Sequence, residues 1–411
     1  MATPPAPSST CSRAEFPVAE GPGPVVFVVA DLLSGENALS VRGQAIARAL
    51  GAAGLPGGVV VVCGDHEKSF SADGVVVQKL ARRLVKNDRP FAERIAGELA
   101  LGAEMAAAIR RLQPAHVVLT TPPFLTATVV WSALKALRVP YTLDVRDLYP
   151  EVYARAGLMR EGGRRYRAIL ALAQRMYAGA TVLTTVTPDL QDYLAAMLPG
   201  RRVELVMNGY AEATFHPRDD DDDNNDEGPV VIVSHGNFGE LFDLDVFATI
   251  ARALAARVGV DYRIRIIGFG KKLEALKALA LPHVEVLGPR DNAEMGALLR
   301  QAHIGLSVHK HYDEAGRAFP VKVFEFIGSG LPTVVIPRNE GGRAVVARGF
   351  GGSFEAAEVE AAIALLQRLI EDRGHRRAVA AAVRAGRAGF SLDGQVARLA
   401  AAVRAVVGTA R

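Results

Sequence analysis

RDDDDDNNDEGPVVIVSHG, residues 218–236, decides the fold of this chain. Its first eleven residues, 218–228, are acidic and of low complexity, cannot join a core, and must stay solvated. An Asp-x-Asp metal pair would need a fixed turn beside a strand end, so the stretch reads as a flexible interdomain linker. The next eight, PVVIVSHG, form a nearly continuous apolar run that closes on glycine. Runs of this kind recur on both sides. Upstream stand PVVFVVADL (24–32), VVVVCG (59–64), HVVLTT (116–121), YTLDVRDL (141–148), TVLTTV (181–186) and VELVMNG (203–209). Downstream come RIRIIGFG (263–270), VEVLGP (284–289), IGLSV (304–308) and PTVVIP (332–337). Unbroken apolar strands are covered on both faces, and their alternation with helical spacing predicts parallel, doubly wound sheets. Two series predict two Rossmann-like α/β domains, over 24–217 and 229–388, with 389–411 as a C-terminal helix packing back toward the first. Parallel sheets bind ligands at the carboxyl ends of their strands, so the site is expected in a cleft between the domains.

Bulk composition excludes several classes. The formal net charge is +4 and no basic run is interleaved with aromatics, so nucleic acid is not an expected partner. Cys11 and Cys63 make no metal or disulfide pattern, which fits a reducing cytoplasm. Residues 1–23 lack an apolar signal region and read as a disordered leader. No stretch reaches the roughly 18 apolar residues needed to span a bilayer. The expected location is the cytoplasm or the inner face of the membrane.

The segment with most chemistry is AFPVKVFEFIGSGLP, 318–332. Pro320 suits the first position of a helix, where its missing N–H costs nothing. The amides of Val321 and Lys322 then belong to the unpaired first turn, a site for phosphate to which Lys322 adds a full charge. Glu325 falls on the same face one turn on, where a carboxylate can accept bonds from two ribose hydroxyls. The same spacing also fits an ordinary amphipathic helix with Val321, Phe324 and Ile327 as core.

Glycine turns follow three strands of the second series: Gly236, Asn237 and Gly239; Gly268 and Gly270 before Lys271; and Gly288 before Pro289 and Arg290. Gly268-Phe269-Gly270 lacks the third glycine of a dinucleotide fingerprint, which disfavours a nicotinamide enzyme. In the first series, YTLDVRDLYPE ends with Asp144, Arg146, Asp147 and Glu151. Ionisable residues that dense either pair with one another or line the cleft.

From about residue 24 to 402 the chain resembles glycosyltransferase family 4, most closely its bacterial cell-surface polysaccharide branch. The resemblance runs in order through LTTPPFLTATVVWSALKALRVPYTLDVRDLYPE (119–151), VTPDLQDYL (186–194), VMNGYAEATFHP (206–217), HGNFGELFDLDVF (235–247), IIGFGKKLE (266–274), VEVLGP and FPVKVFEF. It implies the GT-B fold, two Rossmann-like domains facing a cleft, and a retaining transfer from a nucleotide-diphosphate sugar without cofactor or metal. Glu325 would hold the donor ribose and the amides of Val321 and Lys322 the diphosphate. Pro289 and Arg290 would frame the nucleobase, and Gly236 to Gly239 would lie under the diphosphate, with Gly268, Gly270 and Lys271 close by. Lys322, Arg146 and Asp147 are the candidate catalytic residues. Three departures stand out. Arg317 occupies the first position of the family's Glu-x7-Glu pair, Asn237 replaces a basic residue, and Gly35, Glu36 and Asn37 replace a Gly-Gly loop. Lys271, Lys272, Lys310 or Arg317 could supply the missing charge.

The implied acceptor is a glycan, a polyprenyl-linked sugar or a small molecule. The arginine-rich stretches 80–111 and 155–175 read either as peripheral membrane contacts or as solvated helix faces. The rival readings are a GT-B-fold sugar-nucleotide epimerase and a catalytically silent partner protein.

Overall fold

The computed structural model describes residues 23–34, 38–85, 89–218, 228–311 and 318–408. The leader up to residue 22, Gly35, Glu36 and Asn37, the acidic stretch beyond Arg218, and Arg317 lie outside the described residues.

Two wholly parallel sheets account for the fold. The first has seven strands: β1 Val25–Val29, β2 Val59–Cys63, β3 Val75–Lys79, β4 His116–Thr121, β5 Tyr141–Val145, β6 Val182–Thr185 and β7 Val203–Leu205, in the order β3-β2-β1-β4-β5-β6-β7. Its helices are α1 Ala38–Ala52, α2 Phe91–Leu112, α3 Phe124–Leu137, α4 Glu151–Arg155, α5 Arg164–Gly179 and α6 Pro188–Met197. The second has six strands: β8 Val230–Asn237, β9 Tyr262–Phe269, β10 Val284–Gly288, β11 Ile304–Val308, β12 Thr333–Ile336 and β13 Gly351–Ser353, in the order β10-β9-β8-β11-β12-β13. With it go α7 Leu244–Arg257, α8 Leu273–Ala278, α9 Asn292–Arg300, α10 Val321–Gly328, α11 Glu340–Ala347, α12 Val359–Glu371 and α13 Arg373–Gly386. A last helix, α14, spans Leu392–Gly408.

The unbroken apolar runs are explained by cores on both faces of each sheet. Val26 and Val28 point into one core of the first sheet, and Val25, Phe27 and Val29 into the other. In the second sheet Ile232 faces one core while Val231 and Val233 face the other. Strand side chains alternate, so a strand covered twice must be apolar throughout.

The chain crosses between the sheets twice. Close to the second crossing, Tyr210 and Ser391 form a parallel bridge, and Leu392 N–H donates to the Tyr210 carbonyl at 3.0 Å. α14 then lies on the first sheet, where Leu399 and Val403 are wholly buried with Val25, Phe27 and residues of α1. Burying each contributes roughly 1.5–3 kcal/mol.

Several strands stop earlier than their apolar runs. β5 ends at Val145, which places Arg146 and Asp147 in the loop past the sheet's carboxyl edge. β7 ends at Leu205.

Candidate functional site

The glycine turn after β8 and the first turn of α10 meet at the carboxyl edge of the second sheet. They enclose a cleft of about 470 Å³ whose walls include His235, Gly236, Glu240, His309, Lys322 and Glu325. Asn237, Gly239, Pro320 and Val321 also line it. α10 begins at Val321, one residue later than the sequence suggests, with Pro320 in extended geometry at its N-cap. Its first hydrogen bond runs from Val323 N–H to the Pro320 carbonyl, so the Val321 and Lys322 amides precede the intrahelical ladder. The other face of this short helix is committed to packing: Val323, Phe324, Phe326 and Ile327 are all wholly buried. Lys322 and Glu325 are what remains for the cleft.

Gly236 is held at φ +111°, and a Cβ built on it would stand 3.6 Å from Lys322 Nζ. The ammonium group therefore lies beside the glycine turn, and its Nζ is also 5.8 Å from the centre of the Phe238 ring. Burial, partly offset by Glu325, brings Lys322 down to about 8. Burial likewise lifts Glu325 to about 7 against the pull of Lys322. Glu325 keeps 17 % of its side chain open to the cleft. Two histidines complete the wall. His235 Nε2 stands 3.2 Å from Glu325 Oε2, at an angle that does not make a hydrogen bond. Burial and the Lys322 charge hold both His235 and His309 down to about 3, so neither adds a positive charge to this wall.

The other sequence candidates of this half stand apart from that wall. Gly268 and Gly270 hold the floor together: β9 pairs with β8 so that Gly268 faces Gly236. A Cβ on Gly268, at φ +148°, would lie 1.9 Å from the Gly236 carbonyl oxygen. Gly268→Ala is expected to cost about 3 kcal/mol or more, by backbone clash and a strained φ together. Gly259→Ala, at an exposed position with open space around it, should be near neutral; urea unfolding of both variants checks the contrast. Lys271, Pro289 and Arg290 are exposed on neighbouring strand ends, and Lys272 is turned to the Glu240 and Phe242 carbonyls.

On the first sheet the acidic cluster divides. Asp144, fully buried, takes Arg42 Nε at 3.0 Å and Arg42 Nη2 at 2.8 Å, and accepts from Thr184 at 2.8 Å. Arg42 also donates to the Val206 and Met207 carbonyls at 2.9 Å. Burial alone would push Asp144 up, but the Arg42 guanidinium, the charge of Arg146 and the Thr184 hydroxyl hold its carboxyl below the usual range. Glu151 accepts the Tyr193 hydroxyl at 2.6 Å. These two are pairing residues. Among the described residues the Arg146 and Asp147 side chains make no such pairs, and both sit past the end of β5. Sequence reasoning passed over Arg42, because a lone arginine in α1 carries no sign of its distant partner. It passed over His235 and His309 because each is a single histidine at a strand end.

Known proteins agree with this architecture. The chain matches the glycosyl transferase 4-like domain over residues 38–209 and the glycosyl transferases group 1 domain over 216–386. No curated protein matches it by sequence. Among solved structures it is similar to sucrose-phosphate synthase from Thermosynechococcus elongatus, with TM-score 0.68 and 12% identity over 94% of this chain and 100% of that one. It is also similar to WaaG, a glycosyltransferase involved in lipopolysaccharide biosynthesis, with TM-score 0.63 and 15% identity over 92% and 98%. A third is Alr3699/HepE from Anabaena, in complex with UDP and glucose, with TM-score 0.60 and 16% identity over 93% and 100%. At these identities the likeness is one of fold. With two adjoining domain matches that run from residue 38 to residue 386 on this fold, the chain belongs to the GT-B glycosyltransferases built from a 4-like domain followed by a group 1 domain.

Proposed function

We propose that the chain transfers a sugar from a nucleoside diphosphate sugar to an acceptor hydroxyl with retention of configuration, in the synthesis of a cell-surface polysaccharide. The observation that carries the donor assignment is the half-buried Lys322 and Glu325 on one face of α10, opening onto the Gly236 turn. A diphosphate there meets the Val321 and Lys322 amides, the helix dipole and one ammonium group. The ribose reaches Glu325 one turn deeper. Lys322 supplies the cation that Asn237 lacks, which favours an active enzyme over a silent partner.

In this reading no protein nucleophile acts. The bond from the anomeric carbon to the diphosphate oxygen breaks while the acceptor oxygen bonds on the same face, and the acceptor proton passes to the departing oxygen. Lys322 and the helix amides stabilise the charge that grows on the diphosphate. Asp147 and Arg146 belong to the acceptor side, and no step is routed through a metal ion. Two of the fold neighbours support the setting: one is involved in lipopolysaccharide biosynthesis, and another is in complex with UDP and glucose. Membrane contact through 80–111 and 155–175 remains part of the proposal; among the described residues no helix is long and apolar enough to cross a bilayer.

Calorimetry and product release across a panel of nucleotide sugars test the reading. Selective binding of one donor, followed by release of the nucleoside diphosphate when an acceptor is added, is the expected result. A folded chain that binds no donor would overturn it, and so would conversion of the donor to an epimer without acceptor.

A pH dependence follows from Lys322. Its charged form, which binds the diphosphate, prevails below about 8 and is lost as pH rises through that value. Affinity for a nucleoside diphosphate should therefore be greatest between about pH 7, above which Glu325 is an ionised acceptor, and about pH 8, and then fall by up to about tenfold per pH unit. In Lys322→Met, titrations between pH 7 and 9.5 should show a weak affinity without that fall.

A further inference from the structure

Two arginines meet beneath the carboxyl edge of the first sheet, and the fold treats them differently. Arg42 is saturated: a paired carboxylate on one side and two backbone carbonyls on the other. Arg146, close enough for the two charges to repel, has Nε and Nη1 withdrawn from solvent with no hydrogen-bond partner. Asp144 and Asp147 attract it electrostatically but give these two nitrogens no hydrogen bond. Asp144 is taken by Arg42 and Thr184, with the Thr120 hydroxyl at 3.3 Å, and Glu151 by Tyr193. Asp147, next in sequence, forms neither an ion pair nor a hydrogen bond with it among the described residues. A guanidinium with open donors away from water is costly, and such a group is retained where a ligand completes it. Its place in the loop after β5 is where a parallel sheet receives ligands.

We propose that Arg146 binds an anionic group of the acceptor, a phosphate or carboxylate carried close to the hydroxyl that receives the sugar. This rests on the transferase reading above and adds the acceptor's chemical class to it. The donor diphosphate has its own cation, Lys322, at the Gly236 turn of the second sheet. An arginine at the edge of the first sheet is therefore assigned to the other substrate. A sugar phosphate and a lipid diphosphate-linked sugar present the same chemistry to it. Arg146 is a binding and positioning residue in this scheme: the anion fixes the acceptor, and the nearby hydroxyl is delivered to the donor.

Three measurements on the full chain test the assignment. Inorganic pyrophosphate is titrated calorimetrically, at fixed ionic strength, into a Lys322→Ala/Glu325→Ala chain whose donor cleft is disabled. One binding event is expected, weakened at least tenfold by adding Arg146→Gln and largely restored by Arg146→Lys. Thermal unfolding without ligand should place Arg146→Gln close to the unsubstituted chain, since its Nε and Nη1 make no hydrogen bond that the fold would lose. Donor turnover is then compared between a hexose and its 6-phosphate, and between a polyprenyl diphosphate sugar and the same sugar on a neutral alkyl chain. The charged members should be preferred at least tenfold in kcat/KM, and Arg146→Gln should abolish the preference with the donor KM unchanged. Whichever charged member is used identifies the source of the anion. Pyrophosphate binding indifferent to Arg146→Gln would overturn the proposal, as would a marked loss of Tm in that variant or equal use of neutral acceptors. The pyrophosphate and unfolding measurements need no donor, so failure to bind any nucleotide sugar would count against the transferase reading alone.

Discussion

Arg42→Ala is expected to lower the stability of the chain by about 3–5 kcal/mol, because it leaves the Asp144 carboxylate buried without its counter-charge. Both residues are almost fully inaccessible, at 2 % and 0 % side-chain exposure, and lie 102 positions apart in sequence. The guanidinium does more than neutralise Asp144. It also takes up the Val206 and Met207 carbonyls, in the segment that leaves the first sheet just after β7. Losing it strips a bidentate pair and two carbonyl bonds together. Urea unfolding of Arg42→Ala, Asp144→Asn and the double variant measures the coupling; additive losses would refute it. The sign with pH is also fixed. Asp144 titrates lower in the folded chain than in the unfolded one, so its contribution is full above the ordinary carboxylate range and is lost as pH falls below about 4. Arg42→Ala should lack that acid-side dependence.

Glu325→Ala is expected to weaken donor binding by on the order of 2 kcal/mol or more, about thirtyfold, as for lost hydrogen bonds to a charged acceptor. It carries a second signature. Glu325 is the group that holds the Lys322 charge up against burial. Without it the ammonium deprotonates at lower pH, so the fall in nucleoside diphosphate affinity should begin at lower pH than in the unsubstituted chain. Calorimetric titrations across pH separate this from simple loss of fit. An unchanged pH profile with weaker binding would detach Glu325 from Lys322, and unchanged binding would remove Glu325 from the site.

The central strands and the two-sheet plan were legible in the sequence, because a strand with a core on each face can be read from its composition alone. β1, with Val26 and Val28 on one side and Val25, Phe27 and Val29 on the other, is such a strand. Two edge strands were not. β3 is half-exposed, and β13 is Gly-Gly-Ser, which has no β signal beyond the pairing that β12 offers it. The Lys322–Glu325 spacing was legible too, since helical periodicity sets two residues three apart on one face. Whether that face is solvated or closed over by a cleft is a question of what packs opposite it. Only the tertiary structure set Lys322 beside Gly236, whose lack of a Cβ makes the approach possible. It likewise divided the ionisable cluster at the end of β5 into two populations: Asp144 and Glu151 are paired, and Arg146 and Asp147, among the described residues, are not. The sequence by itself determined which elements form and which faces they bury, because those follow from local spacing and burial. Which charges meet was decided by the folded chain, because partners such as Arg42 and Asp144 are brought together by the order of the strands and by nothing within reach of either residue along the sequence.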